Sequence, residues 1–298
     1  MSTKLGFVAT VAFSILLAIY AVARVFQILP GKLPIVAVVT LHVVPLFLFA
    51  LIHGAIGYRP IGILSFVAIS LIVGNIFENV GVATGFPFGS YHFTDAMGPK
   101  VFHVPILLGL AYVGMGYLSW SLGRVIVGVL QSPLAGTRVV TVPLIASFIM
   151  VAWDFANDPV WTNINRLWIW KNGGPYFGVP VTNFFGWYLV IYVIYQLFAL
   201  YVRRRITPNE SLLPNYWRWA IIFYAMSAAG NVIILVPTSY PDVVFDPAGV
   251  ARSVRSIVGA CALVSIFVMG AFAVIAWIRL FQHVRAGRAI TSDEQTEI

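Results

Sequence analysis

The stretch that decides the fold is residues 60–93, PIGILSFVAISLIVGNIFENVGVATGFPFGSYHF. Residues 60–83 carry a single charged side chain, Glu78, in a run that is apolar without alternation. An apolar run of roughly 20 residues is the length of a membrane-spanning helix, and a strand would alternate. The run ends in an acid and an amide, Glu78 and Asn79. It then passes through the Gly85-Phe86-Pro87-Phe88-Gly89 turn and leaves through Tyr91 and His92. A second stretch, Trp153 to Trp187, repeats this logic. Its span ends in Asp154, Asn157 and Asp158, and the turn Pro175-Tyr176-Phe177-Gly178-Val179-Pro180 leads into the next span.

Working outward, the whole chain shares this character. It has 298 residues, of which 60% are hydrophobic and only 9% charged, where a soluble domain carries about 25% charge. Only helices and closed barrels satisfy their backbone in lipid, and unalternating runs select helices. The expected fold is therefore all-α, a polytopic bundle of about eight transmembrane helices. The spans fall near 7–29, 34–57, 60–83, 103–130, 138–158, 181–202, 215–237 and 253–282. Residues 1–284 read as a single transmembrane domain, followed by a loose polar C-terminal tail over 285–298. The first 29 residues form a run too long for a signal peptide and lack its cleavage site, so they read as the first span.

Lys and Arg set the orientation. The face carrying the N-terminus holds 11 of them, including Arg203-Arg204-Arg205, and the opposite face holds 7. Both termini are therefore expected in the cytoplasm, with the chain in the cell membrane. The net charge of +8 is topological and implies no nucleic acid. The one cysteine, Cys261, excludes an intramolecular disulfide.

Three of the ten acids lie in spans: Glu78, Asp154 and Asp158. Carboxyl groups in a membrane are costly and mark functional sites. Asp154 and Asp158 are spaced i, i+4 and share a helix face if the helix lasts that far; Pro159 suggests instead that Asp158 caps its end. Apolar surroundings and nearby helix C-termini favour the protonated form, which a proton donor needs. By span counting, Glu78, Asp154 and Asn231 fall at one depth, and Asn183 and Trp187 open the sixth span from the same side. Asn79, Asn157, Asn183 and Asn231 serve either to orient water and acids or to bond helices together. His92 is either a proton relay or structural. Trp153, Tyr176 and Trp187 belong to an aromatic group suited to shielding a carbocation, whereas Trp168 and Trp170 read as a membrane-surface belt. His42 and His53 lack partners at metal-ligand spacing, so no metal site is expected. Phosphate-loop, GxSxG and HExxH motifs are absent, which weighs against phosphate chemistry, serine hydrolysis and zinc proteolysis.

The segments Glu78 to Tyr91, Trp153-Asp154-Phe155-Ala156-Asn157-Asp158-Pro159 and Tyr176 to Trp187 resemble those of the membrane carotenoid-biosynthesis family, which contains carotenoid 1,2-hydratases and the related heterodimeric lycopene cyclases. The resemblance covers about residues 75–190. Its single long chain is similar to the hydratase branch. The resemblance implies that an acid protonates the terminal 1,2 double bond of an acyclic carotenoid end. Water then captures the tertiary cation, without cofactor or metal. It makes Asp154 or Asp158 the donor, gives Glu78 and Asn79 the water, and leaves the aromatics to shield the cation. Implied partners are the carotenoid substrate, membrane lipids, and further copies of the chain or other carotenoid enzymes. A cyclase would use the same protonation with intramolecular capture. A proton-coupled transporter and a noncatalytic carotenoid-binding protein are the readings from other classes.

Overall fold

The structure is a computed structural model that describes residues 3–27, 29, 32–130, 133–205, 214–236, 241–246 and 249–296. Its helices are α1 (Thr3–Phe26), α2 (Ile35–Thr84), α3 (Ile106–Val127), α4 (Arg138–Asn163), α5 (Val181–Arg205), α6 (Pro214–Ile233), α7 (Val254–Val264) and α8 (Gly270–Thr296). A π-helical turn, Ser265–Met269, joins α7 to α8. The all-α expectation holds. Among the described residues, six stretches are long and apolar enough to cross a membrane, and α7, the π turn and α8 count together as one of them.

The two spans expected at 34–57 and 60–83 are the arms of α2. Arg59, at φ 60° and ψ 164°, breaks the helix between them. α3 packs against both arms, meeting the first at Leu46 and the second at Glu78. Gly114 makes that approach possible: a Cβ there would sit 2.8 Å from the Leu46 Cβ and from the Phe47 backbone nitrogen. α4 then packs between α3 and α5, while α6, α7 and α8 close the bundle. Phe49, Phe66, Trp120, Tyr195, Phe198 and Phe223 are fully buried at its centre. Phe7, Ile61, Leu64, Ile72, Ile76, Phe267 and Phe281 are exposed on its surface. Apolar surface on this scale is what lipid covers, and the bundle is read as a membrane protein.

Buried polar side chains tie the helices together at depth. Arg24, in the last turn of α1, donates to Ser227 O and Oγ of α6, each at 2.9 Å. Nearer the other side, Arg124 donates to Tyr58 Oη at 2.7 Å, and His53 bridges Tyr117 Oη and Tyr216 O.

Three short antiparallel ribbons lie in the connections on one side of the bundle. They are β1 (Tyr91–Phe93) with β4 (Trp168–Trp170), β2 (Lys100–Val101) with β3 (Val104–Pro105), and β5 (Val243–Phe245) with β6 (Ala251–Ser253). The β1–β4 ribbon joins the two stretches singled out in the sequence, with Tyr91 opposite Trp170 and Phe93 opposite Trp168. Strand alternation turns Tyr91, Phe93, Trp168 and Trp170 inward and His92 outward.

Two helix ends differ from expectation. α4 runs through Pro159 to Asn163, so Asp158 does not cap the helix. The turn is held by tertiary contacts: Asp158 is anchored from β4 and α5, and Asn163 Nδ2 donates to Pro159 O and Phe177 O. The last helix, expected to end near residue 282, continues as α8 through Thr296.

Candidate active site

Glu78, Asp154 and Asp158 come together beneath the β1–β4 ribbon, each with 3% or less of its surface exposed. Glu78 is bracketed by two phenols. Tyr91 Oη donates to Oε2 at 2.5 Å and Tyr112 Oη, from α3, donates to Oε1 at 2.6 Å. The chain can return this closely because residue 81 is glycine, where a Cβ would lie 2.9 Å from Tyr91 Oη and 2.8 Å from the Phe88 ring. Burial first, and then the adjacent Glu78 carboxyl, push the Tyr91 phenol well above its ordinary range, so it remains a donor.

Asp154 and Asp158 lie one turn apart on α4 and share one donor. Asn183 Nδ2 reaches Asp154 Oδ2 at 3.0 Å and Asp158 Oδ2 at 2.7 Å. An amide NH2 has two hydrogens, and here each carboxyl takes one. Trp168 Nε1 adds a bond to Asp158 Oδ1 at 3.0 Å. Asp158 thus accepts at both oxygens, whereas Asp154 Oδ1 is buried with no hydrogen-bond partner among the described residues.

A cavity with about 20 Å³ of room for water centres is lined by Glu78, Asn183, Leu108 and the rings of Phe88, Tyr91, Phe93, Trp168, Trp170 and Trp187. That space holds about one water. Trp170 Nε1 is buried there without a partner. Trp187 closes one wall and stacks on Tyr112 at 4.7 Å and 13°. Two apolar spaces lie near this cavity. One, of about 250 Å³, shares Leu108 and Trp168 as its wall. The other is a groove of about 480 Å³ between α2 and α3, with Tyr112 in its lining.

The sequence candidates divide. Glu78, Tyr91, Asp154, Asp158, Asn183 and Trp187 meet at the cluster. Tyr176 stacks on Phe155 at 4.4 Å. Its buried hydroxyl has no hydrogen-bond partner, and burial raises its phenol above the ordinary range. The remaining candidates are placed elsewhere. Asn79 donates to Asn75 and accepts from His103 N, pinning the β2–β3 turn. His92 is exposed on the outer face of β1. Asn157 bonds its own helix at Trp153 O, and Trp153 faces Trp161 and a recess beside α1. Asn231 bonds Ser265 Oγ in the π turn.

Tyr112, Trp168 and Trp170 complete the site without having been singled out for it. Trp168 and Trp170 are not belt residues: they are 5% and 3% exposed. Tyr112 carried one usable signal, a hydroxyl a few residues into a span that starts on the acids' side of the membrane.

Residues 31–234 match the family model described as carotenoid biosynthesis protein. No curated protein and no solved structure matches the chain.

Proposed function

Because the chain belongs to the carotenoid biosynthesis protein family, we propose that it is a carotenoid 1,2-hydratase, adding water across the terminal double bond of an acyclic carotenoid end. The observation that supports this reading is an aromatic cavity of one-water size lined by Glu78 and Asn183, with Asn183 bonded to Asp154, whose Oδ1 is buried with no partner among the described residues. Hydration needs a proton for the alkene and a water for the cation, and Asn183 links the two provisions, lining the cavity and bonding Asp154.

Donor supply separates the three acids. Asp158 and Glu78 each accept at both oxygens and are suited to the carboxylate form. Asp154 accepts at one oxygen only, so its proton belongs on Oδ1. In the reaction Asp154 gives that proton to the less substituted alkene carbon, and the tertiary cation forms at the other. The faces of Trp168, Trp187 and Phe88 stabilise the charge. Water adds to the cation, and Glu78 takes the proton it releases. Return of that proton from Glu78 to Asp154 restores the resting state. Atoms and charge balance without any further reactant.

The end group reaches the acids from an adjoining apolar space, by displacement of the Leu108–Trp168 wall. The chain sits in the cytoplasmic membrane with both termini in the cytoplasm, among membrane lipids, its carotenoid, and other copies or other carotenoid enzymes. The test is to incubate purified protein with lycopene in micelles prepared in heavy-oxygen water. Label in a new tertiary alcohol supports the hydratase. A cyclised isomer of unchanged mass would identify a cyclase, and unaltered lycopene would count against both.

A further inference from the structure

Beside the acid cluster, the cavity of about 250 Å³ between α1, α2, α3 and the end of α4 is lined almost wholly by apolar side chains, among them Val39, Val43, Leu108, Trp161 and Trp168. An apolar cavity of about 150 Å³ holds benzene, so this one, of about 250 Å³, has room for a larger, branched unit. Its polar side chains are Gln27, Asn165 and His42, the last of which also lines the recess continuing toward Tyr20, Arg24 and Trp153.

The ring of His42 is oriented by its own helix. Nδ1 lies 2.7 Å from Val38 O. A carbonyl can only accept, so Nδ1 carries the hydrogen, and Nε2 of the neutral ring is an acceptor. Nε2 is buried, with almost no surface open to a water-sized molecule, and has no hydrogen-bond partner among the described residues. A buried acceptor in an apolar space is costly unless a donor meets it. A pure hydrocarbon offers no such donor, whereas an isoprenoid alcohol offers one.

We propose that this cavity is a binding pocket for an isoprenoid end group bearing a hydroxyl, with the His42 wall shifting on binding so that the O–H donates to Nε2. The pocket's chemistry stands apart from the hydration reaction; only the identity of the alcohol as that reaction's product rests on it. Since Leu108 and Trp168 wall both spaces, the alcohol formed at the acids would pass into this pocket and be drawn away from Asp154. His42 is then a product-binding residue, distinct from the acids.

The probes are linalool, a tertiary isoprenoid alcohol, and myrcene, a hydrocarbon of the same skeleton. Each is titrated into the purified full chain in one detergent, following tryptophan fluorescence. The wild type is expected to prefer linalool, and His42→Phe to lose about tenfold of that preference. Comparing variants in the same micelles cancels the difference in partitioning. His42→Gln keeps an acceptor and should retain part of the preference. Val39→Trp fills the pocket while sparing His42, and should abolish saturable binding of both probes. It also tests the pocket should His42→Phe fail to fold. An unchanged preference in His42→Phe, or binding unaffected by Val39→Trp, would overturn the proposal. Neither result depends on turnover, so a failed hydration assay and a failed pocket remain separate outcomes.

Discussion

At the scale of single residues, the site is defined by which oxygens have donors and which do not. Asp154 is the acid with a free oxygen, so Asp154→Asn should leave the fold intact and lower turnover by about a hundred- to ten-thousand-fold, the usual worth of a positioned general acid. Product yield per folded protein checks it, and retained turnover would reassign the donor. Tyr112→Phe removes one of the two donors on Glu78 and should cost about 1–3 kcal/mol in stability, read as a lowered melting temperature in detergent. Much at this scale was legible in the sequence. Charged groups in apolar spans are few, and Glu78, Asp154 and Asp158 could be picked out on cost alone. Asn183 followed from its depth. What was not legible was partner choice: Asn79 and Asn157 stand beside the acids in sequence but turn to their own helix and the β2–β3 turn. Adjacent helix positions point about 100° apart, so neighbours in the chain need not be neighbours in the site.

At the scale of elements, the β1–β4 ribbon is what converts two separated stretches into one centre. Its two strands come from connections far apart in the chain, and three-residue strands leave too little pattern to be read in advance. Missing it, sequence reasoning assigned Trp168 and Trp170 to the membrane surface, because composition alone cannot separate a belt tryptophan from one folded under a strand. The helices were more legible, since apolar runs report their own length. The exception at α4 has a physical cause: a preference against helix before proline was outweighed by the anchoring of Asp158. The break inside α2 yields a prediction. Arg59 occupies a backbone region open essentially to glycine alone. Arg59→Gly should therefore raise the melting temperature, with relief of roughly 1 kcal/mol after the entropy of the added glycine is counted. A lowered melting temperature would show that the arginine side chain outweighs its backbone strain.

At the scale of the whole molecule, chain direction follows from the span count and places all three ribbons, the acids and both apolar spaces toward one side. By the span count, 11 of the 18 basic residues fall on the other side, and the orientation proposed from them predicts that reporter domains fused at either terminus report from the cytoplasm. A periplasmic signal from both ends would invert the assignment and put the acids near the cytoplasm. The position of the site within the bundle suits an end-group reaction. A long polyene can lie along the apolar layer while its terminus meets the acids near one edge, and that arrangement depends on the fold rather than on any single contact. The most direct measurement is the pigment mass profile of a lycopene-producing host expressing this chain, compared with the same host expressing Asp154→Asn. The proposed reaction predicts pigments heavier by one water per modified end with the wild-type chain, and unaltered lycopene with the variant at equal protein level. Equal hydration by both chains would contradict the role given to Asp154, and a wild-type pigment of unchanged mass with a shortened chromophore would contradict hydration itself.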